Sequence, residues 1–194
     1  MAVETPLSEL EAVNILLQAI GEAPVNSLGV GSVADVTIAR SILAKTSHQV
    51  QEIGWHFNTE LNYPLVPDVD GIITLPANIV RVDQDTTNDS GDYDLVQRGT
   101  SLYDRKNRTS VFTQTVKAEV VLLFPFDQLP PVARRYITLK AARIFQSRVI
   151  GSDTLNGFSE RDEFEARMEF EEAEGDTADY TIFDSYTVSR SVMR

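Results

Sequence analysis

Residues 129–151 read Leu-Pro-Pro-Val-Ala-Arg-Arg-Tyr-Ile-Thr-Leu-Lys-Ala-Ala-Arg-Ile-Phe-Gln-Ser-Arg-Val-Ile-Gly. Two prolines mark the start of a helix and a glycine marks its end, with about five turns between them. Four apolar residues follow the i, i+4, i+7, i+8 spacing of one helical face: Ile137, Ala141, Ile144 and Phe145. The pattern predicts a helix that other elements surround.

Two arginines depart from this amphipathic pattern. Arg134 and Arg148 project onto or beside the apolar stripe. An arginine at such a position often lies at the edge of an apolar surface, where its stem is buried and its charge reaches water. It can also form a buried ion pair or contact another subunit. Four other side chains are expected on the solvent side of this helix: Arg135, Tyr136, Lys140 and Arg143.

Three further helices are predicted around this one. The first runs from about Ser8 to Ile20, where Ser8 and Glu11 form a capping box. The second begins at a Ser32 cap and carries an apolar stripe that ends at Gly54: Ala39, Ile42, Leu43, Thr46, Val50 and Ile53. The fourth, about 159–175, follows a glycine-rich connection over 151–157. It is strongly acidic, with an expected Phe164–Met168 apolar contact and an expected Glu163–Arg167 ion pair.

From Trp55 to about Phe126 the pattern changes to short apolar or alternating runs separated by turns. The runs are 55–63, 71–75, 79–82, 94–98, 101–104 and 118–124. A repeat of about 8–12 residues, with intervening prolines, predicts antiparallel strands. Trp55 and Phe57 are expected on one side of the first strand.

The predicted fold class is therefore α+β: a bundle of four helices with an inserted antiparallel β domain and an extended C-terminal tail. Each helical pair carries an apolar stripe that it cannot bury alone, so the two pairs are expected to share one core. The predicted segments are 1–54 for the first helical pair, 55–128 for the β domain, 129–175 for the second pair and 176–194 for the tail.

The composition narrows the classes of function. The 194 residues carry a formal net charge of −12, which argues against a groove that binds nucleic acid by neutralising phosphates. No apolar run approaches the roughly 20 residues that span a bilayer. Because cysteine is absent, disulfides, thiolate catalysis and cysteine metal sites are excluded.

Motifs for cofactors and metals are weak, so neither is predicted. Residues 29–34 fit a dinucleotide fingerprint, but they follow a helix instead of the buried strand that the motif requires. The acidic segment 83–94 departs from a calcium loop at Asn88 and Asp94. The two histidines, His48 and His56, lie in different elements.

Five segments, in order along the chain, resemble those of the tail tubular protein A family. This family forms the adaptor or gatekeeper ring of T7-like short-tailed bacteriophages. The segments are 12–25 (AVNILLQAIGEAPV), 54–58 (GWHFN), 65–69 (LVPDV), 96–105 (VQRGTSLYDR) and the helix at 129–151. Their order and spacing carry the resemblance, which covers nearly the whole chain.

The resemblance implies a dodecameric ring that joins the capsid portal protein above to a tail nozzle, a tail tubular protein B-like protein, below. It also implies that tail fibres attach near that junction and that DNA passes through without specific binding. The protein would be a component of the virion tail, present in the host cytoplasm during assembly, with no membrane contact and no catalysis. The alternative is a tail-associated hydrolase of bacterial surface polysaccharide, because two of the 29 acidic residues suffice for a carboxylate pair.

Candidate contacts with partners lie in three places. The tail has sparse aromatic residues that suit docking, and the β region has an exposed-looking segment at a strand end. There Asp104 and Arg105 are equally compatible with an internal brace. The candidate interface residues are Tyr180, Phe183, Tyr186 and Arg190 in the tail, Tyr103, Asp104 and Arg105 in the β region, and Arg134 and Arg148 in the third predicted helix.

Overall fold

The computed structural model describes residues 6–29, 34–84, 93–151 and 153–177. Within these ranges the chain forms four α-helices and two antiparallel sheets, which confirms the α+β class. The helices are α1 (Glu9–Ala19), α2 (Ala34–Gln51), α3 (Pro131–Val149) and α4 (Asp153–Thr177). The strands are β1 (Thr59–Leu65), β2 (Ile79–Gln84), β3 (Leu95–Arg98), β4 (Ser101–Asp104) and β5 (Val116–Leu122), with short 3₁₀ helices at His56–Asn58 and Phe126–Gln128.

The chain divides into two compact units, Met1–Leu43 with Pro130–Arg194, and Ala44–Leu129. The division falls within α2, whereas the sequence pattern changes only at Trp55. The residues of a helix keep the same periodicity where the helix passes from one unit to the other. The sequence pattern therefore marks the end of α2 and not the residue at which its contacts change.

In the first unit, α3 lies against both α1 and α4. Ile137, Ala141 and Phe145 are fully buried, as the stripe predicts. Tyr136 was expected on the solvent side, and that expectation is wrong. Its ring stacks on Phe170 of α4, with the ring centroids 5.7 Å apart, because α4 covers that side of α3.

The predicted capping box at the start of α1 is confirmed. The Glu11 N–H donates to Ser8 Oγ, and the Ser8 N–H donates to Glu11 Oε2 at 2.8 Å. The latter bond lowers the pKa of the Glu11 carboxyl. Within α1, the Asn14 side chain holds the segment that follows the helix. It donates to the Val25 carbonyl at 3.0 Å and accepts from the Val25 N–H at 2.8 Å.

Several details predicted for α2 and α4 are corrected. Ile53 is exposed because α2 ends at Gln51, and the predicted Ser32 cap lies outside the described residues.

Helix α4 begins at Asp153, so the expected loop over 151–157 is wrong. A single interior glycine costs a helix only about 1 kcal/mol, and the turn is made at Gly151, whose φ is +67°. Finally, Glu163 and Arg167 do not pair with each other, because they bond Arg143 and Glu171 instead.

In the second unit, β5 pairs antiparallel with β1 on one side and β2 on the other, while β3 and β4 form a hairpin. The core lies between these strands. The predicted strand at 71–75 makes only isolated bridges, at Ile72 and Thr74. The predicted strand at 55–63 starts late, at Thr59. The residues before it form a 3₁₀ turn, so Trp55 and Phe57 do not share a strand face.

A buried amide cluster joins the end of α2 to β5. Gln51 is fully buried and exchanges two hydrogen bonds with the Phe124 backbone, at 2.8 and 3.1 Å. Asn58 donates to the carbonyls of Gln51 and Leu122 and accepts from the Trp55 N–H. Leaving any of these buried polar groups unpaired costs about 1–3 kcal/mol, so the cluster fixes how the helix end meets the sheet.

Candidate interaction surfaces

The basic helix α3 and the acidic helix α4 neutralise part of each other's charge within one chain. Arg135 Nη1 lies 2.5 Å from Glu169 Oε2, and Arg143 Nε bonds the Glu163 carboxylate. The bond to Glu163 raises the pKa of Arg143. Both pairs form inside one chain.

The two unusual arginines of α3 have different surroundings. Arg134 is buried, and its Nη1 donates to the Leu7 carbonyl at 3.0 Å. It holds the segment before α1 in place, and its role at an interface stays a prediction. Arg148 lies exposed in the last turn of α3, beside the exposed Val149 and Ile150. This end of α3 stays a candidate contact surface.

The three candidate interface residues of the β region also differ in their surroundings. The Tyr103 ring is half-buried, with the Arg98 guanidinium 3.4 Å from its centroid. Arg105 is exposed and lies 3.4 Å from the Asp94 carboxylate. Asp104 is only 1% exposed, so it is the internal brace that the sequence allowed as an alternative and not a contact residue.

The Asp104 carboxylate organises the turn that follows β4. It accepts hydrogen bonds from the Asp94 and Lys106 N–H groups, at 3.1 and 2.9 Å, and from the Asn107 side chain. Burial opposes ionisation of this carboxyl, but the bonds from Asp94, Asn107 and Lys106 outweigh it and lower the pKa of Asp104. The turn is therefore held in one shape by a buried charge.

Asp104→Asn should lower the free energy of unfolding by about 1–3 kcal/mol at pH 7, because an amide cannot accept the same set of bonds. A lowered folded-state pKa stabilises the protein above the ordinary pKa of about 4, and that stability is lost as the pH falls through the folded-state value. The difference between the two proteins should thus shrink between pH 5 and pH 3 in urea unfolding. A difference that stays constant over this range would show that the charge of Asp104 is irrelevant.

The tail candidates Tyr180, Phe183, Tyr186 and Arg190 lie outside the described residues, as does the tip of the acidic segment at 85–92. A groove of about 420 Å³ lies in the first unit. The residues that line it are Leu7, Ile15, Arg135, Thr138, Leu139, Asp162 and Glu165, and its lining surface is mostly apolar. Such a groove suits an apolar side chain of a protein partner.

Neither a membrane span nor a cluster of metal ligands is found in the described ranges. They contain no helix that is long and apolar enough to cross a membrane. In the same ranges, no three His, Cys, Asp or Glu side chains come together as metal ligands.

The whole chain was compared with known proteins. A family model described as Tail tubular protein matches residues 10–180, which include parts of both compact units. A curated relative is Tail tubular protein A of Klebsiella phage KP34. It is 31% identical over 131 residues, which cover 68% of this chain and 67% of the relative.

Proposed function

The chain belongs to the tail tubular protein family and has a structural role in a bacteriophage tail, and we propose that it forms the adaptor ring that joins the capsid portal to the tail nozzle. In this proposal about twelve copies close into a ring by head-to-tail contacts. The portal protein binds above the ring, and the nozzle and tail fibres bind below it.

One observation carries the proposal: the family match extends from residue 10 to residue 180. A match confined to one unit would be consistent with a shared module in an unrelated protein. A match over nearly all of the chain favours the structural role of the family for both units. The proposed role is accordingly structural, without catalysis, and the protein assembles in the host cytoplasm before it becomes part of the virion tail.

The charge of the chain fits a ring through which DNA moves. Each subunit carries −12, so a ring of subunits repels phosphates and gives DNA no specific binding site. Screening limits this repulsion to about 8–10 Å at moderate salt, so only the acidic residues nearest to the channel act on the DNA. The passage therefore stays free of strong contacts.

Different parts of the chain are assigned to different partners. The tail residues Tyr180, Phe183, Tyr186 and Arg190 bind the portal, because aromatic and arginine side chains dominate the binding energy of protein interfaces. The β unit contacts the nozzle and fibres. Its loop after β1 exposes Val66 and Val69, of which Val69 is fully accessible. Tyr103 is a second candidate contact in this unit.

The proposed adaptor role is tested by deleting the gene for this chain from the phage and examining the particles that form. Phage made without this chain should yield heads that carry the portal but neither the nozzle nor the fibres, because nothing joins the two assemblies. Supplying the chain from a plasmid should restore complete tails and the infectious titre. Electron microscopy of the particles is the measurement. Heads with attached nozzles in the absence of the chain would overturn the proposal.

A further inference from the structure

Helix α4 presents an exposed row of side chains along one side. The row is Glu160, Phe164, Met168 and Glu172, each four residues from the next. Residues four apart lie above one another, so the row forms a ridge about 18 Å long with an apolar centre and an acid at each end. Phe164 is 62% exposed and Met168 is 48% exposed. Aromatic and Met side chains are enriched where another protein covers the surface.

The acids of this ridge differ from the other acids of α4. Glu163 and Glu169 pair with α3, while Glu165 and Glu171 pair with arginines of α4 itself. In the part of the chain that the structure describes, Glu160 and Glu172 form no salt bridge, although the charge of Glu160 contributes to the field at Arg143. The ridge therefore offers two carboxylates to a partner.

A surface of opposite charge lies in the other unit, on the turn held by Asp104. We name residues 105–108 the basic loop, since Arg105, Lys106 and Arg108 are all exposed. Arg108 has a φ of +55°, a left-handed conformation that is uncommon for a non-glycine residue. Such strain persists where the surrounding structure fixes it, and it is often found at binding sites. Val111, 52% exposed, lies three residues further on and adds an apolar side chain.

We propose that the ridge of one copy receives the basic loop of a second copy. The cations of the loop face Glu160 and Glu172, and Val111 lies against Phe164 and Met168. The second copy is the partner because the two surfaces carry opposite charge: the ridge has an acid at each end, and the basic loop gathers three exposed cations within four residues and adjoins the exposed Val111. This inference deepens the proposed function by assigning residues to the contact between subunits.

The two surfaces are different patches, so the contact is head-to-tail, and repetition generates a ring when the rotation closes. A single ridge and loop bury less than the roughly 800 Å² per partner of a stable interface. Isolated subunits should therefore associate weakly. A portal that holds several copies side by side raises their effective concentration and stabilises the contact.

Because the chain has no cysteine, a single engineered pair reports the contact. Val111→Cys and Met168→Cys replace the two apolar centres and keep every charge. The two variants are mixed at about 100 μM under mild oxidation, and one carries a tag so that the mixed dimer differs in mass from either homodimer. A disulfide requires Cα atoms about 4.4–6.8 Å apart.

The mixed dimer of Val111→Cys and Met168→Cys should form at least about tenfold faster than the mixed dimer of the control Val66→Cys and Met168→Cys. Val66 is an exposed valine of the same unit as Val111. The mass of the mixed dimer is twice 21.6 kDa plus the tag. Arg108→Glu in the loop partner should remove this advantage, and Glu172→Lys in the ridge partner should restore it. Equal rates for Val111→Cys and Val66→Cys, or a rate that Arg108→Glu leaves unchanged, would overturn the contact.

The same contact is tested in assembled particles with one chain that carries both cysteines. Oxidation should then give a ladder of linked subunits, whereas no ladder, together with no mixed dimer in solution, would overturn the inference. Tail assembly by the unmodified chain is measured separately. Failed assembly with efficient cross-linking would reject the adaptor role and keep the contact between copies. Normal assembly without cross-linking would reject the contact and keep the adaptor role.

Discussion

Phe145→Ala should lower the free energy of unfolding by about 3–5 kcal/mol, a loss that is large relative to the 5–15 kcal/mol of a typical domain. Phe145 is fully buried on α3, between helices that contact α3 from two sides. The substitution removes the apolar ring and leaves a cavity that helices held by caps and ion pairs fill only in part. Urea unfolding of both proteins, extrapolated to water, measures the difference.

Phe164→Ala is the matched control, because it makes the same chemical change at an exposed position of α4. Its free energy of unfolding should stay within about 0.5 kcal/mol of the unmodified protein. The contrast between the two substitutions tests which side of the helices forms the core. Similar losses at both positions would contradict the burial described for the first unit.

Deleting residues 178–194 should abolish portal binding and leave the melting transition unchanged. The proposed portal contacts Tyr180, Phe183, Tyr186 and Arg190 all lie in this segment. The buried residues, caps and ion pairs of the described structure lie before Ala178, so their contribution to stability is kept. Portal affinity is measured by titration, and a loss of at least about 100-fold is expected, in line with the removal of several anchoring side chains.

A shorter deletion separates these side chains from the chain end. Removing only residues 191–194 keeps all four candidates and should leave portal affinity within about threefold. Unchanged affinity after the longer deletion would reject the tail as the portal contact. A lowered melting temperature would show that the tail supports the fold.

The sequence predicts the elements whose signals are local. The prolines before α3 and the glycine after it bound the helix at Pro131 and Val149, and the Ser8–Glu11 capping box forms as expected. The strand at Ser101–Asp104 is predicted to the residue. In each case, the residues that determine the element lie within it or next to it.

The sequence does not predict the side chains that clamp distant backbone. Asn14 bonds a residue 11 positions away, and Asn58 bonds a carbonyl 64 positions away. Asp104, which braces the turn after β4, accepts from the Asp94 N–H group 10 positions away. Asp68 holds nearer groups, the N–H groups of Asp70 and Ile72. Each clamp lies in one of four segments that resemble the tail tubular protein A family. The residues of these motifs therefore support the fold through hydrogen bonds, which the periodicity of the sequence does not reveal.

The charges of α4 show the same limit. Counting acids along the helix shows only that it is strongly acidic, whereas in the structure the pairs with Arg135 and Arg143 neutralise the side that faces α3. Only the fold separates Glu163 and Glu169, which form salt bridges with arginines of α3, from Glu160 and Glu172, which form no salt bridge among the described residues. The candidate site follows from this separation, and the sequence could not make it.

The mass of the complex with the portal protein tests the central claim most directly. Light scattering after size exclusion is measured for the chain alone, for the portal alone and for their mixture at micromolar concentrations and moderate salt. The adaptor proposal predicts one stable complex with equal numbers of the two chains, about twelve of each. Two separate species with the masses of the unmixed proteins would contradict it.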